Sequence, residues 1–336
     1  MLFGADSLLS RRNVMLGAGV AGSALLAPEF ALAQTAKASS SSGYKFDDPA
    51  EMLKLYCRLY GSLDGKPVFG WYSGHAFGNV PGEIIRPLVG FEGFGCGWVK
   101  AQPDGTFKNA WKEVGYYKDL RTGEILDSWA NPYTQEKCDV LHIHNSSVNM
   151  VLSTKLPDYA AMAAKGMFLG NPNYTKLDDA ARPYGLPYAI AGDTISLFSD
   201  ARGNVPNRLN PKEWPRESTG ERMNVAEFYM MSAKVDQALN PNVINAATTG
   251  AWTRIGPWLP WMMMGGKPGE LYYRSATKKL TKVEDLPKHI IAYTEKHYPA
   301  FLTPPSDDDF KTPMESSWDV FKRERKPKPK PANVTG

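Results

Sequence analysis

The sequence predicts a mainly β protein, an antiparallel meander closing into a single β-barrel of calycin or lipocalin-like architecture, with a helix at each end and long covering loops. Three observations carry this expectation. Short runs rich in Val, Ile and aromatics recur along the chain, separated by Gly, Asn, Asp and Pro. The connections "QPDGT", "DLRTGE" and "NPYTQEK" are short, and the first two hold Asp-Gly and Thr-Gly at hairpin-like spacing, so consecutive strands should pair. No helices alternate with the strands, which argues against a doubly wound sheet. Closure would remove the exposed edges of so aromatic a sheet, and a barrel of this strand number can hold one small ligand.

Residues 1–34 read as an export signal to be removed, because Arg11-Arg12 precede an apolar stretch, Val14–Ala27, and Ala31-Leu32-Ala33 offers a cleavage site. "SRRNVML" resembles the twin-arginine export motif, through Ser10, Arg11, Arg12, Val14, Met15 and Leu16. That resemblance implies the twin-arginine machinery as a partner and a periplasmic or secreted location. The apolar stretch is Gly- and Ala-rich and shorter than the ~20 residues a membrane-spanning helix needs, so no stable membrane anchor is expected.

After a flexible spacer, 35–45, "DPAEMLKLYCRLYGSLDG" reads as a helix capped by Asp48, with Met52, Leu55, Tyr56 and Leu59 on one face and Gly61 at its end. Strands are expected at about 68–77, 86–100, 106–118, 124–130 and 139–152, then at 189–200, 224–234, 252–257 and 271–276. Residues 155–187 and 203–222 carry many Pro, Gly and Asn and read as loops. "VEDLPKHIIAYTEKHY" forms the C-terminal helix, and a single domain spans 46–322.

The formal charge of +4 sits in the tail: Lys322, Arg323, Arg325, Lys326, Lys328 and Lys330 against Glu324 leave the rest of the chain near neutral. Residues 323–336 are basic and Pro-interleaved, the composition of a solvated, disordered end. No aromatic or amphipathic element accompanies this run, so no nucleic-acid partner is expected. Cys57, Cys96 and Cys138 lack paired spacing and read as buried structural cysteines.

"WPREST", "IGPWLPWMMMG", "PGELYYRSATKKL", "LPKHIIAYTEKHYPAFLTPP", "SSWDVFK" and "TGEILDSWANPYT" resemble the domain-of-unknown-function 1838 family of exported proteins over about residues 46–322. The resemblance implies one domain. It brings no mechanism, so no catalytic residue is carried over from it.

Candidate chemistry comes from titratable groups set in apolar runs. In "DVLHIHNSSV", alternation places His142 and His144 on one face of a strand, with side chains about 6–7 Å apart. Three readings stand open: histidines hydrogen-bonded in a crowded interior, acid–base or ligand-orienting groups, and ligands of one metal ion. A third metal ligand would have to come from His75, Glu92, Asp193 or Glu227, and a metal is not favoured. Glu92 in "GFEGFGCGW" and Glu227 in "AEFYMM" are carboxylates whose pKa burial would raise. His142, His144, Glu92 and Glu227 are thus the catalytic candidates. Trp71 and His75, which share a face in "GWYSGHAFG", join Trp258, Trp261 and Tyr229 as substrate contacts. The Trp and Met segment reads either as core or as a ligand-facing wall suited to a flat hydrophobic molecule.

There is no GxSxG elbow, Walker loop, Rossmann fingerprint or HExxH, so nucleotide chemistry is not expected. The leading expectation is a periplasmic acid–base enzyme, a lyase or hydrolase acting on an apolar aromatic small molecule. A non-catalytic carrier of a hydrophobic ligand and a metal-dependent enzyme using the His-x-His pair are the alternatives.

Overall fold

The computed structural model describes residues 43–154 and 184–329. The export signal, residues 35–42 of the spacer, most of the loop at 155–187 and the last seven residues of the tail lie outside them.

Helix α1 (Pro49–Tyr60) begins where expected: Asp48 Oδ1 accepts from the Ala50 N–H at 2.8 Å, Pro49 occupies the first turn, and Gly61 ends the helix. Strands β1 (Val68–Asn79), β2 (Arg86–Ala101) and β3 (Phe107–Lys118) follow as a meander. A small ribbon, β4 (Ser128–Ala130) with β5 (Lys137–Asp139), interrupts them, so the strand expected at 124–130 shrinks to three residues. β6 (Ile143–Leu152), β7 (Tyr188–Ala191), β8 (Thr194–Pro206), β9 (Arg222–Lys234), the single-turn α2 (Val235–Ala238), β10 (Thr249–Gly256) and β11 (Glu270–Leu280) complete the sheet. Gly192, at φ +59°, turns the strand expected at 189–200 into the β7–β8 hairpin. Helices α3 (Lys288–His297) and α4 (Ser317–Glu324) close the chain. Pro287 restricts the expected C-terminal helix to its second part.

All nine long strands form one antiparallel sheet, in the order β6-β3-β2-β1-β11-β10-β9-β8-β7. The expected barrel does not close. First and last strands pair, as closure demands, yet the ring is broken between β6 and β7, its two edges. The free edge of β6 is already occupied. Ser146 and Glu315 exchange backbone hydrogen bonds, His144 N–H donates to Ser317 Oγ, and Asn149 donates to the Asp309 and Thr312 carbonyls. The segment before α4 thus supplies the partner that a closing strand would have been, and so protects the edge.

The open sheet is nonetheless rolled. If flat, it would hold β3 and β9 about 24 Å apart across five strand spacings. Glu113 of β3 is instead in electrostatic contact with Glu227 of β9 and Arg254 of β10. The inner face explains the glycines of "GFEGFGCGW". Gly93, Gly95 and Gly97 all point inward, where a Cβ on Gly95 or Gly97 would overlap the Trp111 ring and one on Gly93 would overlap the neighbouring backbone. Large residues alternate with them on the outer face, which makes β2 buried on both sides.

Helix α1 packs across one end of the rolled sheet. Leu53 and Cys57 meet Val99, Phe107 and Leu152, while Met52, Leu55 and Leu59 meet Ile195, Leu197 and Ala233. It therefore bridges the two ends of the sheet, between whose edges β6 and β7 no ladder runs, and each fully buried Leu contributes roughly 2 kcal/mol. The other end is plugged by the largest core cluster, with Trp258, Trp261, Met262, Met264, Trp129 and Phe321. On the outer face α3 sets Leu286 and Ile290 against Phe69, Phe94, Val114 and Tyr116. Cys57, Cys96 and Cys138 are all free and buried, and burial pushes each thiol upward, Cys96 to about 12 and Cys138 to about 11.

Candidate functional site

The expected residues fall into three places. On the outer face, beneath α3, Glu92 is 5% exposed and accepts from Trp71 Nε1 at 3.1 Å and Lys118 Nζ at 2.6 Å, with His289 Nε2 at 3.0 Å. Burial by itself pushes this carboxyl up, but the three hydrogen bonds outweigh it, and the net pKa lies below the ordinary 4.5. This corrects the expectation that burial raises it: the sequence did not show that a lysine and a histidine would converge there. Glu92 pins α3 to the sheet.

His142 and His144 share the outer face, packed against Tyr116 and Tyr293 and against Tyr298 and Phe301 respectively. His142 Nδ1 accepts the Tyr117 N–H at 3.2 Å, and its Nε2 lies 3.5 Å from Tyr293 Oη. Burial, aided by the neighbouring His144 and His297, holds the His142 pKa down to about 4, and burial lowers that of His144. Both rings are neutral at pH 7. His142 serves the backbone just before β6 begins, and neither ring is paired with Glu92. His75 is exposed on the same outer face.

Trp258 and Trp261 sit in the core plug, 1% and 2% exposed, with Trp258 Nε1 donating to the Lys267 carbonyl at 3.2 Å. Their rings pack on Tyr133 and on Tyr117 and Trp129, so this segment is core packing.

Glu227 and Tyr229 alone of the expected residues face the interior of the rolled sheet, and they have company that spacing did not reveal. Arg254 Nη1 lies 3.2 Å from Glu227 Oε1, and Tyr229 Oη donates to Glu227 Oε2 at 2.9 Å. Glu113 accepts from Asn145 Nδ2 at 2.8 Å and has the Tyr72 phenol nearby, whose hydroxyl donates to the Val114 carbonyl at 3.3 Å. The Tyr117 and Tyr273 phenols are near enough to influence each other's titration. Arg254 and Glu227 keep 31% and 24% of their side-chain surface and Tyr229 is 42% exposed. Yet desolvation is the largest influence on Arg254, Tyr229, Glu113 and Tyr273. Groups that are both accessible and densely surrounded line a recess.

Within this recess charge is sorted. Burial raises the Glu113 carboxyl above the ordinary glutamate value, with the Glu227 charge adding to it, despite the opposing influence of Asn145 and Tyr72. Burial would lower Arg254, but the Glu227 carboxylate and the phenol oxygens outweigh it, so the guanidinium stays charged. Burial also pushes Tyr273 up to about 12 and Tyr229 and Tyr117 well above the ordinary phenol value, which keeps these phenols neutral donors at pH 7. A carboxyl whose pKa is raised by burial, near an ion-paired carboxylate, is an arrangement suited to general acid–base chemistry.

Glu113 sits in "WKEVGYY" and Arg254 in "WTRIG", both on alternating strands, where a charge reads as an outward, solvated residue. The signal that could have found them is the glycine alternation on β2. It marks the inner face, and through the pairing of Gly95 with Glu113 it marks Glu113 as inward.

The sequence model of a family of unknown function, DUF1838, matches residues 65–325. The chain belongs to this family. A comparison with curated proteins finds no match. The matched span takes in the whole nine-stranded sheet, α3 and α4 but leaves out α1. Among the described residues no group of three or more His, Cys, Asp or Glu is gathered closely enough to hold a metal ion, and no helix is long and apolar enough to cross a membrane.

Proposed function

We propose that this DUF1838 protein is an exported acid–base enzyme acting on an aromatic small molecule in the recess of its rolled sheet. The observation that carries the reading is the pairing of Glu113, whose carboxyl is biased toward holding its proton, with Glu227, whose carboxylate is bound to Arg254. Glu113 is the proton donor and Glu227 the acceptor. Arg254 fixes the acceptor, Tyr229 orients it, and the Tyr117–Tyr273 pair supplies a neutral polar wall. A carrier of hydrophobic ligands has no need for a buried carboxyl and an ion pair, which each destabilise the fold unless used. Export through the twin-arginine route rests on Ser10 to Leu16.

The test is untargeted metabolite profiling of a native-host extract incubated with the wild-type chain, Glu113→Gln or Glu227→Gln. Depletion of an aromatic compound by the wild type alone, falling as pH rises past the Glu113 pKa, is the expected result. Equal depletion by wild type and variants removes both carboxyls from the mechanism. For export, Arg11→Lys with Arg12→Lys should keep the protein in the cytoplasmic fraction, and undiminished release would refute the route.

A further inference from the structure

The recess carries two buried donors with nothing to donate to. Trp252 and Ser275 are directly opposed on β10 and β11 and so share the inner face. Trp252 Nε1 and Ser275 Oγ are both shielded from water and lack any hydrogen-bond partner, and Ser275 as a residue is 8% exposed. A buried donor without an acceptor destabilises a fold, and adjacent strands have placed two at one register position. Around them the rings of Phe91, Tyr229, Trp252 and Tyr273 meet edge-on or tilted, with centroids 5.7 to 6.2 Å apart.

We propose, building on the acid–base reading above, that Trp252 and Ser275 are the donor pair for the carbonyl oxygen of a neutral aromatic carbonyl compound. Two neutral N–H and O–H donors suit an oxygen that carries partial negative charge and gains more during reaction. The aromatic wall suits a planar ring attached to that carbonyl. A carboxylate ligand fits less well, because Glu227 already neutralises Arg254 and would repel a second anion. The approach runs past Tyr229 and Arg254, which flank Trp252 and retain accessible surface.

Ligand-observed NMR titration of the mature chain with acetophenone, benzoate and ethylbenzene tests this without any turnover. Acetophenone should bind more tightly than the other two. Ser275→Ala and Trp252→Phe should each weaken acetophenone about fivefold, the loss expected for one neutral hydrogen bond, while leaving ethylbenzene unchanged. Ser275→Ala should also melt no lower than wild type, since it removes an unpaired hydroxyl and not a structural bond. The proposal is overturned if acetophenone does not bind, if benzoate or ethylbenzene binds as well, if the variants bind acetophenone like wild type, or if Ser275→Ala lowers the melting temperature. A chain that binds acetophenone as described but depletes no metabolite overturns the acid–base reading alone.

Discussion

Gly93 and Gly90 lie three residues apart on β2, both in regular ladder positions, and the rolled sheet treats them in opposite ways. Gly93 faces the interior. A Cβ there would overlap the Val114 carbonyl and Gly115 Cα of β3 and stand 2.8 Å from Tyr72 Oη. Two of these three neighbours are backbone, which cannot rotate away, so Gly93→Ala must push β2 from β3 or unroll the sheet locally. Overpacking of a rigid site costs about 3 kcal/mol or more. For a domain of this size that is a fall in Tm of about 6 °C or more. Gly90 faces outward, where the nearest atom to an added Cβ is Lys118 Cβ at 3.6 Å, ordinary van der Waals contact. Gly90→Ala should therefore gain about 0.5 kcal/mol, because alanine has less freedom to lose from the unfolded chain. Calorimetry of both variants beside wild type measures the contrast. Equal Tm changes for the two, or a Gly93→Ala protein as stable as wild type, would show that inward curvature is not what requires glycine on this strand.

Four further outcomes follow from the same geometry. The Glu92 carboxyl is held low, so its contribution to stability is present above the ordinary 4.5 and is lost as pH falls through its folded value; Glu92→Gln should cost about 1–3 kcal/mol at pH 7 in urea denaturation, with the gap to wild type closing in acid. His142 is held neutral, so its share of stability is full above the ordinary 6.5 and drains away toward about 4. Wild type should lose up to ~3 kcal/mol over that window from this ring, and His142→Gln should flatten the urea midpoint against pH. Glu113 is shifted the other way, so ionising it opposes folding as pH rises above its unfolded value. Glu113→Gln should raise the urea midpoint at pH 8 and leave it unchanged at pH 4. Leu55, fully buried where α1 meets β8 and β9, should cost about 3 kcal/mol when changed to Ala, and a smaller loss by calorimetry would mean that α1 does not bridge the two ends of the sheet.

Much of the architecture was legible along the chain because it is local. Asp48, Pro49 and Gly61 set the limits of α1 through contacts within a few residues, and the alternation of β1, β2 and β3 fixed which side chains share a face. The equivalence of His142 and His144 was readable for the same reason, since a two-residue period needs no knowledge of the partner strand. Whether a face is the inside or the outside is a different matter. Glu92 and Glu113 both read as charges in aromatic strands; one faces Lys118 and His289 under a helix, the other Tyr72 and Asn145 in a recess, and their pKa values move in opposite directions.

The sequence by itself determined most of the strands, the meander and the helix at each end, because each depends on backbone preference and period. Tertiary structure alone decided that β6 would bond to residues 309–317 and leave the ring open, and that Glu227 would meet Arg254 beside Glu113. Those outcomes depend on which distant segment lies against a given edge or interior, and hydrogen bonds and charges respond to separation in space, which separation along the chain does not encode.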